Sequence, residues 1–311
     1  MRVLLVPDKP GWSIDRIAKA LVTFNTVPSL ALDVLPLKGN VPELLKSEHA
    51  YDRIFLLAHQ EYEMLPVWQR RWLIDKDRWI TGIHSHHSWD DGGTTPEKDR
   101  KPPGSLVRLL RRFHGVNAVS PRLTRIFQAT GVNVVCTLNG VNTQEFRPLT
   151  ALSSHGQLRV GFAGTAKGIH NHRKGYTECV LPAIRRSDVE LLQAVARTET
   201  SLPSTEMVNF YNRCDVLLLP SNSEGCSLAM LEALACGRPV ISTRVGGAVD
   251  AIQHDFNGYL VNRTIEAIVG ALERLKDRAR LIWMGENARA TAVAEWSWEK
   301  RAPAWLTFLV T

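Results

Sequence analysis

Short apolar runs alternate with helix-patterned segments along this chain, and the alternation starts over once. "RVLLVP", "LALDVLPL", "YDRIFLLAH", "RWITGIHS", "VNAVS" and "VNVVCTLNG" follow one another with helical stretches such as "SIDRIAKALVTF" and "PRLTRIFQATG" between them. Near-continuous apolar strands joined by helices are what a parallel sheet covered on both faces requires, because each crossover must carry the chain back over the sheet. After the polar, proline-containing "NTQEFRPLTALSSHGQ" the rhythm resumes with "LRVGFAG", "VELLQAVA", "DVLLLPS", "RPVIST" and "GYLV". The pattern predicts an α/β chain of two Rossmann-like halves facing one another across a cleft, residues 1–150 and 151–295. The aromatic "WSWEKRAPAWLTFL" predicts a docked helix over 296–311.

Composition agrees with that reading. A chain of 311 residues, 44% hydrophobic and 22% charged, suits two folded domains and leaves no long disordered tract. Five cysteines without paired close spacing and an N-terminus that turns polar too soon for a signal peptide point to a reducing, cytoplasmic setting. No window approaches the roughly 18 apolar residues of a membrane span. The net charge of +7 is concentrated in the first half, which would therefore face an acidic partner, if any.

One carboxylate is out of place. In "SNSEGCSLAMLEALACGRPVIST" a helix apolar on every face carries Glu232 in its middle, and burying a carboxylate without a partner is costly. In an open α/β sheet the ligand sits where strands end and helix N-termini offer free amides. "DVLLLPS" is such a strand and "NSEGC" such a loop; Gly225 permits close approach, and the amides near Ser227 and Leu228 suit a phosphate. Glu232, one turn deeper on the face of Leu228, could accept hydrogen bonds from ribose hydroxyls. Glu224 lies on the other side of that phosphate.

Two glutamates with seven residues between them in this context resemble the nucleotide-sugar site of retaining glycosyltransferases of the GT-B fold, family 4, the group 1 glycosyl transferases. "NAVSPRLTRIFQATGVNVVCTLNGVNTQEFRP", the stretch from "LPSTEMVNFYNRC" to "NGYLV", and "WSWEKRAPAWL" resemble the same family in order and spacing. The resemblance implies a last helix that crosses back to the first domain. It implies that Glu224 binds hydroxyls of the donor sugar and Glu232 the ribose, with Gly225, Cys226, Ser227 and Leu228 near the diphosphate. "FAGTAKGIHNHRKG" places Lys174 and Gly175 at the family's lysine–glycine, whereas Thr165 stands where the family has arginine; Arg173 or Lys167 would compensate. Gly11 answers to the glycine loop after the first strand. His84 aligns with the histidine near the anomeric carbon, with His86 and His87 as the other choices. The implied chemistry is front-face sugar transfer from a nucleotide diphosphate to a hydroxyl of a nucleic-acid base, glycan or lipid, without a cofactor or divalent metal. The segment 197–203 would hold the nucleotide base.

Other readings compete. "HSHHSWDD" could make His84, His86 and His87 the ligands of a metal-dependent hydrolase, although Ser88 stands where that pattern needs aspartate. "DKD", Asp75 to Asp77, precedes a strand and so lies at the wrong end of a sheet for a ligand. The helix "SLVRLLRRFHG" sets Arg108, Arg111 and Arg112 beside a stripe of Leu106, Leu109, Leu110 and Phe113, a pattern suited to nucleic acid, to a membrane surface or to packing on its own sheet. "VWQRRWLIDKDRW" mixes Trp68, Trp72 and Trp79 with Arg70, Arg71 and Arg78, and the two segments together sustain a non-catalytic nucleic-acid-binding alternative.

Overall fold

The computed structural model describes residues 1–65, 77–85, 101–166, 168–196 and 202–311. They fall into two compact units, one of the described residues within Met1–Trp89 and Asp99–Asn139 together with Trp298–Thr311, the other of Gly140–Ser297. In the first unit β1 (Arg2–Val6), β2 (Ala31–Val34), β3 (Arg53–Leu56), β4 (Trp79–Ile83), β5 (Gly115–Ala118) and β6 (Val134–Cys136) form a parallel sheet of order β2-β1-β3-β4-β5-β6. In the second, β7 (Leu158–Gly164), β8 (Val189–Val195), β9 (Val216–Leu219), β10 (Val240–Thr243) and β11 (Gly258–Val261) form a parallel sheet of order β11-β10-β9-β7-β8. Every apolar run named above is a strand. In both sheets the strand order reverses beside the first strand, between β1 and β3 and between β7 and β9. Such reversals open a crevice at the carboxyl ends of the strands.

Burial explains why the strands read as unbroken apolar runs. Every residue of β3, β4, β9 and β10 is buried, since helices cover both faces. In the second unit Phe162, Leu218, Ile241 and Tyr259 pack with Leu272 and Met284 of the helices Ile265–Leu275 and Arg278–Glu295.

The N-terminal stretch of the first unit ends at Asn139, whereas the sequence reading set its boundary at 150. The intervening segment is bonded into the second unit. Leu149 N–H donates to Asn212 Oδ1 at 2.7 Å, and Arg289 Nη1 donates to the carbonyls of Thr143 (3.1 Å) and Phe146 (2.9 Å). Arg238, only 2% exposed, donates to the carbonyls of Thr150 at 2.9 Å and Asn212 at 3.0 Å. A polar linker composition says nothing about which side will satisfy its backbone.

The C-terminal helix runs Trp298–Val310 and belongs to the first unit. Trp305 is fully buried there; its Nε1 donates to Leu138 O at 2.8 Å and its ring lies 6.2 Å from those of Phe55 and His84. No helix among the described residues is long and apolar enough to cross a membrane.

Candidate functional site

The second unit gathers its polar side chains at the carboxyl ends of β7 and β9, beside the strand reversal. The helix Leu228–Ala235 is capped by Ser227, whose Oγ accepts from Met230 N–H at 3.4 Å, and it stops before Gly237, whose φ of +70° needs glycine. The amides of Ser227 and Leu228, at the start of this helix, come directly after the loop that carries Glu224 and Gly225. Cys226 is buried in that loop.

Lys174 and Glu224 meet. Lys174 ends the short helix Ile169–Lys174, and its Nζ lies 2.5 Å from Glu224 Oε1. Ser221 Oγ donates to the same oxygen at 2.6 Å. Glycine at 175, φ +69°, turns the chain so tightly that an added Cβ would lie 2.7 Å from Pro220 O. The Lys174 stem passes over Gly164, just before Thr165 at the end of β7. Arg173, 3% exposed, accepts Asn222 N–H at its carbonyl (2.9 Å), and its Nη1 lies 3.5 Å from His170 Nδ1. Lys167 lies outside the described residues.

Glu232 is 3% exposed, and Tyr211 donates its hydroxyl to Glu232 Oε2 at 2.8 Å. That bond answers part of the burial cost. Tyr211 comes from the helix Met207–Arg213 and is itself fully buried.

In the first unit Gly11, φ +78°, donates its N–H to Asp15 Oδ2 at 2.8 Å in the loop after β1. His84 follows β4. Burial, reinforced by His59, lowers its pKa to about 4, with Leu57 O opposing, so the imidazole is neutral near pH 7. Its Nε2 has no hydrogen-bond partner. Gly82 makes this arrangement possible, since a Cβ there would lie 2.2 Å from Leu57 O and 3.1 Å from His84 Nε2. His59, 3% exposed after β3, is likewise lowered to about 4 by burial. Glu61 is 1% exposed, and among the described residues neither carboxyl oxygen has a hydrogen-bond partner at normal geometry. Burial pushes its pKa well above the ordinary range, the Ala58 and Leu57 amides offset this in part, and Asp8 adds to it. His86 and His87 lie outside the described residues, as does most of the segment 197–203.

Several residues with a part in this geometry escaped sequence reasoning. Ser221 and Tyr211 hold the two glutamates, and only contact could assign them. Gly246 is demanded by a crossing of loops: at φ +45° its Cβ would lie 2.0 Å from Gly225 O, while Gly247 N–H donates to that carbonyl at 2.6 Å. The glycine pair after "STRV" was the available signal. Arg263 donates from Nε to Pro220 O at 2.9 Å and from Nη2 to His172 O at 2.7 Å, and thereby ties the Glu224 loop to the Lys174 helix.

The competing segments are partly placed. Trp79 is fully buried core, whereas Trp68, Trp72, Arg70, Arg71 and Asp75 lie outside the described residues. Asp77 precedes β4, at the amino end of the sheet. In the helix Gly104–Leu110, Leu106 and Leu110 are buried. Arg111 Nη2, just past that helix, donates to Thr130 O at 2.6 Å and Arg112 Nη1 to the Tyr62 hydroxyl at 3.0 Å. Among the described residues no three His, Cys, Asp or Glu side chains group as metal ligands.

Comparison with known proteins bears on the family. Residues 189–291 match the family model described as glycosyl transferases group 1. A D-inositol 3-phosphate glycosyltransferase of Saccharomonospora viridis is 36% identical over 300 residues, covering 80% of this chain and 68% of the relative. An N-acetyl-alpha-D-glucosaminyl L-malate synthase of Bacillus anthracis is 43% identical over 88 residues, 28% of this chain and 23% of that relative's length. Such local matches span about a quarter of the relatives they reach. Among solved structures, sucrose-phosphate synthase from Thermosynechococcus elongatus has a TM-score of 0.72 at 17% identity, over 99% of this chain and 98% of its own. Anabaena HepE in complex with UDP and glucose has a TM-score of 0.71 at 16% identity, over the whole of both chains. These likenesses establish the GT-B fold.

Proposed function

The chain belongs to the group 1 glycosyltransferases, and from that premise we propose that it moves a sugar from a nucleotide-diphosphate donor to a hydroxyl acceptor with retention of configuration. One observation carries the reading: Lys174 and Glu224, fifty positions apart, converge within 2.5 Å beside the N-terminus of the helix whose second turn holds Glu232. A cation and helix amides suit a diphosphate, and the two carboxylates suit hydroxyls on either side of it. Glu232 takes the ribose and Glu224 the sugar. The leaving diphosphate, stabilised by Lys174 and the amides from Gly225 to Leu228, takes the acceptor proton, so no side chain need be a strong base.

The cation Lys174, with Arg173 or Lys167 in place of an arginine at 165, replaces a divalent metal in this scheme. For the acceptor we favour a hydroxylated small molecule, glycan or lipid headgroup over a DNA base. The names of relatives give L-malate and D-inositol 3-phosphate, both anionic, and the positive charge of this chain suits such acceptors. Arg111 and Arg112, two of the arginines offered for nucleic acid, are instead bonded within the fold. The reading places the enzyme in the cytoplasm, with the first unit available to a membrane surface.

The test is a panel of UDP-, GDP- and ADP-sugars assayed for hydrolysis, followed by transfer from the active donor to malate, inositol phosphate, glycan, lipid and DNA acceptors. Hydrolysis of one donor class, abolished in Glu224→Ala, is expected. No binding of any nucleotide in the panel by the folded protein would overturn the reading.

A further inference from the structure

The Lys174–Glu224 pair raises a question that site assignment alone leaves open. If Lys174 faces a diphosphate, the carboxylate bonded to it brings a negative charge to an anion site. Glu224 Oε1 is held by two donors, Lys174 Nζ at 2.5 Å and Ser221 Oγ at 2.6 Å, and Ser221 is fully buried and so cannot turn to solvent. Among the described residues, hydrogen bonds reach Glu224 at Oε1 and not at Oε2. Both side chains stay largely shielded, 20% exposed for Lys174 and 13% for Glu224, so water screens their charges only in part. The carboxylate is thus fixed in place, with both of these bonds on one oxygen.

Resting on the donor-site reading above, we propose that Glu224, held by Ser221, makes the site discriminate between the sugar-charged nucleotide and the bare nucleoside diphosphate. With the sugar present, its hydroxyls donate to Oε2 and offset the charge on the carboxylate. Once the sugar has left, nothing donates to Oε2, the diphosphate gains a negative charge, and carboxylate and anion repel one another across Lys174. Glu224 therefore favours donor entry and product release, beyond serving as a sugar contact. Ser221 is a positioning residue, because it touches the carboxylate and not the substrate.

The experiment is calorimetric titration of the full chain with UDP, GDP and ADP and with the matching glucose and mannose nucleotides, for wild type, Glu224→Gln and Ser221→Ala. For the nucleotide that binds, Glu224→Gln is expected to bind the bare diphosphate about five-fold tighter and the sugar nucleotide more weakly, reversing the wild-type preference. Ser221→Ala, which frees the carboxylate to move, should shrink the preference without reversing it, with an unchanged melting temperature. If wild type binds a nucleotide but Glu224→Gln binds the diphosphate no more tightly, the discrimination is refuted while the donor site stands. If wild type binds none of them, the donor-site reading falls and takes this inference with it. A Glu224→Gln chain that fails to fold would be replaced by Glu224→Ala, for which the same gain in diphosphate affinity is required.

Discussion

At the scale of single residues, Glu232 and Glu61 are both buried carboxyls, and their surroundings set them apart. Glu232 receives the Tyr211 hydroxyl at 2.8 Å, so it can be held as an acceptor for a ligand. Glu232→Ala is expected to weaken nucleotide binding by about 1.5–3 kcal/mol, and Tyr211→Phe by about 0.5–1.5 kcal/mol, on the usual scale of charge-assisted and ordinary hydrogen bonds. Titration of the nucleotide into both folded variants checks this, and unaltered affinity in both would remove Glu232 from the site. Glu61 has no such partner, and burial raises its pKa. A raised carboxyl stabilises the fold below its unfolded value of 4.5 and loses that contribution as pH climbs toward the folded value. Glu61→Gln should therefore raise the melting temperature at pH 7.5 and change it little at pH 4.5; equal shifts at the two pH values would contradict a raised Glu61 pKa.

At the scale of elements, the candidate donor site depends on loops that come within bonding distance of one another. The loop after β10 reaches the loop after β9 only because residue 246 has no Cβ. Gly246→Ala would force Gly225 O and Glu224 O away from their places, so nucleotide affinity should fall by at least ten-fold, about 1.4 kcal/mol, while the melting temperature drops by only a few degrees. Full affinity in that variant would mean that the loops are not coupled. The C-terminal helix is a separate case, since Trp305 anchors it within the first unit through a hydrogen bond to Leu138 O and through ring contacts with Phe55 and His84. Trp305→Ala should cost about 3–5 kcal/mol in urea unfolding, the range for emptying a buried aromatic site.

For the molecule as a whole, pH and metal dependence follow from the same charges. His59 and His84 have pKa values lowered from 6.5 to about 4 by burial, so the unfolded chain binds more protons than the native one in between. Their contribution is intact above pH 6.5 and is lost as pH falls toward 4, at about 1.4 kcal/mol per histidine per pH unit. Glu61 acts in the opposite direction above pH 4.5, which flattens the wild-type profile; Glu61→Gln should make the acid side steeper, as urea titrations from pH 4.5 to 7.5 would reveal. On the proposed reading sugar transfer should survive EDTA, because Lys174 would supply the cation that faces the diphosphate. Complete loss restored by a divalent ion would defeat that scheme.

The chain's own pattern determined the two parallel sheets, each of their strands, and the glutamate-bearing helix with its glycine stop. These depend on periodicity and on neighbours a few residues apart, which a linear string displays. Lys174 and Glu224 were legible as site candidates through resemblance, but not as a bonded pair. Tertiary structure alone decided that Tyr211 would meet Glu232, that Ser221 would fix Glu224, that Arg238 would draw residues up to Thr150 into the second unit, and that Glu61 would be sealed from water. Each of those outcomes turns on which distant segment closes over a polar group, and that choice is made by packing rather than by local propensity.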